Sequence, residues 1–246
     1  MNKIQEFTIE SNQEIANDVY KMILLGDNSW IRNPGQFINI TIDNRYLKRP
    51  ISISDYYDNK IEIIYKVVGY GTNQLKNKTT NDKLEALVDL GNGFELVNEE
   101  KVILIGGGIG VPPLYKLCKE LIKNNIKVDV ILGFNSKDDV FYEQEFKSLN
   151  CDTYVSTVDG TYGVKGFVTD IIKNNNLNSY YYACGPINML KAINKQLDTK
   201  GQLSFEAKMG CGFGACMGCS CETITSYKRI CKEGPVLKSE ELIWND

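Results

Sequence analysis

Apolar and polar positions alternate in short bursts over the first hundred residues, and each burst is broken by turn-forming residues. A period of two sends successive side chains to opposite faces of a strand, so the pattern predicts antiparallel strands with one buried face. The strands expected are Lys3–Glu10, Val19–Leu25, Phe37–Thr41, Ile51–Ser54, Ile61–Val68 and Leu84–Val88. Asn33-Pro34-Gly35-Gln36 and Asp55-Tyr56-Tyr57-Asp58-Asn59 supply turns. Short strands at this spacing predict a small closed or nearly closed barrel.

From Lys101 the texture changes to apolar runs alternating with helical stretches, which predicts a parallel sheet covered by helices. Strands are expected at Val102–Ile105, Val128–Leu132, Thr153–Thr157 and Tyr180–Ala183. The helix after the first begins near Pro112-Pro113, as proline permits in a first turn, and sets Leu114, Leu117, Cys118, Leu121 and Ile122 on one face. Further helices are expected over Phe141–Leu149, Phe167–Asn174 and Ile187–Leu197. Lys200-Gly201 reads as a break before a last short strand, Leu203–Glu206, and the acidic tail Leu237–Asp246 has no clear pattern. The chain therefore divides into 1–98, a β-barrel; 99–202, an α/β region; and 203–246, a small terminal module.

Composition narrows the partners. A formal net charge of -3 without a basic run argues against nucleic acid and anionic membranes. Met1–Glu6 is too polar for a signal peptide, and no apolar run approaches the ~18 residues of a membrane span. A cytoplasmic location is expected, where eight cysteines read as metal ligands and buried thiols.

Cys211, Cys216 and Cys219 form a C-x4-C-x2-C run, with Cys231 as a distant fourth thiol, the spacing of plant-type [2Fe-2S] proteins. The chain has no histidine, which excludes a Rieske site and any Cys/His zinc finger. Gly212, Gly214, Ala215 and Gly218 let the backbone fold tightly and aim N–H groups at sulfur. Four-cysteine zinc and a disulfide network are the alternatives; zinc sites favour two knuckles, and disulfide frameworks belong to short secreted chains. Cys221 competes with Cys219 as a ligand, although the x2 spacing favours Cys219. Cys118 and Cys151 have no partner pattern and read as structural.

Upstream, Arg49-Pro50-Ile51-Ser52 offers a guanidinium fork for a phosphate and a hydroxyl for a ring heteroatom. Gly69-Tyr70-Gly71-Thr72 opens a short helix near Asn73–Leu75, whose free N–H groups suit a pyrophosphate. Gly106-Gly107-Gly108-Ile109-Gly110 lies between a buried strand and a helix, the context of a dinucleotide turn. Val111 replaces the third glycine of G-x-G-x-x-G, and no Walker A sequence follows. Cys184-Gly185-Pro186 sits at a strand's carboxyl end, where α/β sheets place ligands. A barrel arginine, a bare glycine turn and a buried thiol before a helix are the plain readings of these segments taken singly.

In this order the motifs resemble those of ferredoxin-NADP reductase-like flavoproteins. With the cysteine module, and Met209–Cys216 as its most specific stretch, the chain resembles the electron-transfer subunit of B-type, NAD-dependent dihydroorotate dehydrogenase from Pro34 to Pro235. The resemblance implies a barrel binding FAD, a second domain binding NAD and a [2Fe-2S] module facing a partner. Arg49, Pro50, Ile51 and Ser52 match the first FAD segment, Ile64, Tyr65 and Lys66 the second, and Gly71 with Thr72 the third. Cys211, Cys216, Cys219 and Cys231 match the cluster ligands. Gly106, Gly107, Gly108 and Gly110, with Gly185 and Pro186, would flank the nicotinamide, and Cys184 would stand near its reacting carbon as the candidate catalytic residue. The partner implied is a catalytic subunit oxidising dihydroorotate at its own FMN, two copies of each making a heterotetramer.

NAD is favoured over NADP because Gly133-Phe134-Asn135-Ser136-Lys137-Asp138-Asp139 offers two acids and one lysine, whereas a 2′-phosphate prefers arginine. The rivals are the subunit of a ferredoxin-dependent transhydrogenase or sulfide dehydrogenase, a free-standing NADH reductase and a zinc-stabilised binding protein.

Overall fold

The computed structural model describes residues 3–244, so Met1, Asn2, Asn245 and Asp246 of the outer expected regions lie outside the described residues. The first region folds as β1 (Lys3–Ala16), β2 (Val19–Leu25), β3 (Phe37–Ile40), β4 (Arg49–Tyr57), β5 (Lys60–Lys66), helix α1 (Tyr70–Lys76) and β6 (Lys83–Leu90). The strands close into an antiparallel barrel in the order β1-β2-β5-β4-β3-β6. Alternate side chains fill it: Leu84, Ala86 and Val88 of β6 meet Phe7, Ile9, Met22, Leu24, Ile38 and Ile40. Each fully buried Leu or Ile there contributes roughly 1.5–3 kcal/mol.

Two barrel strands, β1 and β4, run well past their expected ends at Glu10 and Ser54. The β1 alternation is interrupted by register shifts against β2 between Ile9 and Ser11 and between Glu14 and Ala16. Its late polar residues are nevertheless satisfied, since the Asn12 amide donates to the Leu75 and Lys78 carbonyls at 2.9 Å each and accepts from the Tyr65 hydroxyl. β4 runs through Asp55 to Tyr57, so the expected five-residue turn shrinks to Asp58-Asn59, with Asp58 at φ 48.

The second region supplies β7 (Lys101–Gly107), α2 (Pro112–Lys123), β8 (Lys127–Phe134), α3 (Glu143–Ser148), β9 (Asp152–Thr157), β10 (Val164–Lys165), α4 (Val168–Asn174), β11 (Tyr180–Cys184), α5 (Ile187–Gln196) and β12 (Gly201–Ser204). The last region adds a hairpin, β13 (Ser220–Glu222) with β14 (Tyr227–Arg229), and then β15 (Val236–Lys238). One seven-stranded sheet results, β10-β9-β8-β7-β11-β12-β15, parallel except for β15.

Alternation along β7 serves both faces of this sheet. Val102 and Leu104 pack with Leu114, Leu117 and Leu121 of α2, whereas Ile103 and Ile105 pack with Ile171 of α4 and Leu190 and Ile193 of α5. The second core continues through Phe205, Cys219, Ile230 and Cys231 to Phe37 and Leu90 of the barrel, so all three regions share buried surface. Because β15 pairs with β12 and β12 spans residues 201–204, the expected 202/203 boundary cuts a strand. The barrel is held beside the sheet by Lys119 Nζ on Asp55 at 2.6 Å, Lys116 Nζ on the Tyr56 carbonyl at 3.2 Å and the Tyr142 hydroxyl on Glu62. Tyr142, buried at φ 65, precedes α3 and explains why that helix starts later than expected.

Candidate functional site

The cysteine loop is built on left-handed backbone at Gly212 (φ 81), Gly214 (φ 91) and Met217 (φ 60). These turns aim main-chain donors at sulfur: Ala215 and Cys216 N–H toward Cys211 Sγ at 3.2 and 3.4 Å, Gly218 N–H toward Cys216 Sγ at 3.5 Å, and Cys231 N–H toward Cys219 Sγ at 3.4 Å. Burial pushes the Cys211 thiol up, yet the N–H groups of Cys216, Phe213 and Ala215 outweigh it and hold it at about 6. These bonds link the cysteines two by two, Cys216 N–H on Cys211 Sγ and Cys231 N–H on Cys219 Sγ. Among the described residues no three Cys, Asp or Glu side chains converge on one metal position. A two-iron cluster takes two thiolates on each iron, so paired sulfurs fit it better than they fit a single zinc ion. Cys221 lies in β13 with its Sγ toward the Glu222 carbonyl at 3.6 Å.

On the barrel, Arg49 crosses Gly71: a Cβ on that glycine would lie 2.6 Å from Arg49 Nε. The guanidinium donates to the Leu47 and Lys48 carbonyls at 2.9 and 3.3 Å, and among the described residues it pairs with no carboxylate. Thr72 Oγ1 accepts from the Val68 and Gly69 N–H groups at 3.0 and 3.3 Å, which fixes the loop before α1. Tyr46, Leu47, Val68 and Tyr70, on the segments that lead into Arg49 and Gly71, are exposed, and Arg45 lies 4.2 Å over the Tyr70 ring. A guanidinium without a carboxylate partner, lying across a glycine and flanked in sequence by exposed apolar residues, fits a large ligand carrying phosphates. Ile51 and Ser52 follow in β4 half-buried, with Pro50.

The second expected flavin segment behaves differently. Ile64 and Tyr65 are buried, Ile64 against the sheet region and Tyr65 inside the barrel, so only their main chain remains for a ligand. Lys66 pairs with Asp139 at 3.0 Å, and Ser136 donates to the same carboxylate at 3.0 Å. Of the two acids in this loop, Asp139 is thus engaged, while Asp138 stays exposed.

A cleft of about 480 Å³ opens at the carboxyl ends of β7, β8 and β9, lined by Gly107, Gly108, Phe134, Asn135, Ser156, Pro186 and Met189 with Lys66 and Asp139. The glycines divide by duty. Gly106 and Gly110 have no space for a Cβ, which would meet Val111 Cγ2 at 2.8 Å and the Cys184 carbonyl oxygen at 2.3 Å. Gly107 and Gly185 yield to Met189. Gly108, at φ 51, faces open space, which suits backbone approached by a ligand. Cys184 pairs with Gly106 in register, but its thiol is 3% exposed and lies outside the cleft lining. Burial, with Glu206 nearby, pushes it up to about 12, so it is a neutral thiol.

Three features escaped sequence reasoning. Ser156 is fully buried in the cleft wall with an Oγ lacking a hydrogen-bond partner, and the only signal was a hydroxyl at a strand's end. Asn39 reaches the Cys211 carbonyl, and its signal was an amide in the apolar run Phe37–Ile40. Cys118 and Cys151, which carry no partner pattern in the sequence and read as structural, place their Sγ atoms 3.3 Å apart.

Residues 206–243 match the iron-sulfur cluster binding domain of dihydroorotate dehydrogenase B, and residues 104–195 match the oxidoreductase NAD-binding domain. The chain is 46% identical over 256 aligned residues to the dihydroorotate dehydrogenase B (NAD(+)) electron transfer subunit of Fusobacterium nucleatum subsp. nucleatum, covering 98% of both chains. It is 43% identical to the same subunit of Bacillus velezensis, covering 98% of this chain and 99% of that one. Among solved structures, a chain of the NADH-dependent reduced ferredoxin-NADP oxidoreductase superposes with a TM-score of 0.88 at 28% identity, covering 97% of this chain and 90% of that one. A ferredoxin NADP+ reductase from Neisseria gonorrhoeae with bound FAD and NADP shares the fold, with a TM-score of 0.69 at 15% identity over 79% of this chain and 90% of that one. On this identity over nearly its whole length, the chain belongs to the family of electron transfer subunits of NAD(+)-dependent dihydroorotate dehydrogenase B.

Proposed function

We propose that this chain passes electrons, removed from dihydroorotate by a separate catalytic subunit, through an iron–sulfur centre and FAD to NAD+ in pyrimidine biosynthesis. The observation that carries the proposal is three sites of distinct chemistry in one continuous body: paired thiols, an unpaired cation on the barrel and a cleft at the sheet's carboxyl edge. A flavin exchanges hydride with a nicotinamide and single electrons with an iron–sulfur centre, which is why it belongs between the other two. Arg49 with Gly71 would hold its phosphates, Pro50, Ile51 and Ser52 would meet its ring side, and the main chain of Ile64–Lys66 would complete the wall. Gly107 and Gly108 would meet the dinucleotide, with Gly185 and Pro186 closing the far side and Cys184 packed behind them. Cys211, Cys216, Cys219 and Cys231 would ligate a [2Fe-2S] cluster, a choice over Cys221 supported by the N–H links within each pair and by the Cys221 thiol's turn to the Glu222 carbonyl. The regions 1–98, 99–202 and 203–246 then serve as FAD, NAD and cluster units.

The partner in this reading carries FMN and assembles as two copies of each chain. Cys216, Phe213 and Met217 are exposed, which supports docking at the cluster loop. Among the described residues no helix is long and apolar enough to cross a membrane. All eight cysteines are free thiols, which supports placement in the reducing cytoplasm. Co-expression with a candidate catalytic subunit tests the proposal: a complex of two and two by mass, containing FAD, FMN and iron, is expected. Failure to associate, together with reduction of ferredoxin by NADH, would favour the rival that the ferredoxin-linked structural neighbour suggests.

A further inference from the structure

Asn39 stands where the barrel meets the cysteine loop. Within β3, Ile38 and Ile40 enter the barrel core while Phe37 packs outside it with Cys219 and Cys231, so alternation turns Asn39 outward as well. In register it lies opposite Pro50 of β4 on one side and Leu87 of β6 on the other. Asn39 is 1% exposed, and its Nδ2 donates to the Cys211 carbonyl at 3.4 Å. Gly212, at φ 81, accommodates this approach: a Cβ there would lie 2.3 Å from Asn39 Nδ2. The Oδ1 atom is buried and accepts no hydrogen bond.

An amide left half-satisfied in an apolar wall is destabilising, so packing alone would favour leucine at this position. Its amide is also the contact between the strand beside Arg49–Ser52 and the backbone of the first cysteine of the loop. We propose that Asn39 is a positioning residue for the electron relay: its amide fixes the Cys211 carbonyl against the strand pair that carries the flavin segment, and passage between cluster and flavin depends on that hold. The inference rests on the assignment of Cys211 to the cluster and of Arg49–Ser52 to FAD. A partner group that orients a ligand's backbone acts on the centre without touching it, and loss of such a partner changes activity roughly 10–100-fold.

The test compares purified holoprotein of the natural sequence with Asn39→Leu and Asn39→Asp. Iron, sulfide and flavin are measured, the cluster potential is titrated by EPR, and anaerobic stopped flow separates flavin reduction by NADH from the later reduction of the cluster. Flavin reduction is expected to stay unchanged in both variants, while cluster reduction slows roughly tenfold in Asn39→Leu. Asn39→Asp should move the cluster potential to more negative values, because a carboxylate at this buried place opposes an added electron. Loss of iron with flavin retained would also support the hold on the loop. Unchanged cluster rate and potential in both variants would overturn the proposal, as would loss of flavin with the cluster intact. A natural-sequence protein lacking iron or flavin would instead overturn the underlying assignment.

Discussion

Cys219 and Cys221 stand two positions apart in sequence yet face different surroundings. Cys219 is buried beside Cys231, whereas Cys221 turns to the Glu222 carbonyl within its own hairpin. Cys219→Ser should abolish the reduced-state EPR signal and most bound iron, and Cys221→Ser should leave both in place; the reverse result would change the ligand set. Cys184 makes a second prediction. Held at about 12 by burial, its thiol stays neutral at ordinary pH, so NADH oxidation should show no step from thiol ionisation between about pH 6 and 9. A raised acid contributes stability below its unfolded value near 9, lost as pH climbs toward 12, and Cys184→Ala should remove that part of the alkaline decline in Tm. By loosening the turn that Cys184 backs at Gly106 and Gly110, the same variant should slow NADH oxidation about tenfold, or about 1.4 kcal/mol, with iron and flavin unchanged. An unaltered rate would show that the turn holds its shape without this thiol.

Among the elements, the glycine-rich turn after β7 is the most informative. Its position between a buried strand and a proline-started helix was legible, because those neighbours are local features of the chain. Which glycine meets a ligand was not, since that depends on remote atoms: Cys184 behind Gly110, Met189 against Gly107, and open space beside Gly108. Gly108→Asn, which tolerates the left-handed backbone, should therefore raise the KM for NADH roughly tenfold with kcat, iron and flavin little changed. A fall in kcat at constant KM would contradict its place at the cleft. The same contrast explains the strands. The six barrel strands announced themselves by period two, while β13, β14 and β15, three residues each, carry too little alternation to read and exist through pairing with one another or with β12. Tyr65 was legible as a member of a strand, but its inward turn to Asn12 follows from barrel closure.

At the scale of the whole molecule, the order of motifs made three chemical regions legible, and the shared core from Phe37 through Ile103 to Cys231 was not, because it joins residues nearly two hundred positions apart. That core gives the relay a rigid frame, with Lys119 on Asp55 and Lys66 on Asp139 bracing the barrel against the sheet. Exposed Phe213, Met217, Ile224 and Tyr227 lie in the terminal module, where an apolar docking surface is needed. The division of labour between chains follows from what the three sites contain: each is accounted for by flavin, nicotinamide or cluster. The most direct test is dihydroorotate-dependent NAD+ reduction measured for the purified chain alone, for its catalytic partner alone and for the reconstituted pair. The account predicts NAD+ reduction by the pair only, lost when Cys216→Ser removes the cluster while NADH-to-dye activity persists. NAD+ reduction by this chain alone with dihydroorotate, or undiminished turnover of the pair without the cluster, would contradict it.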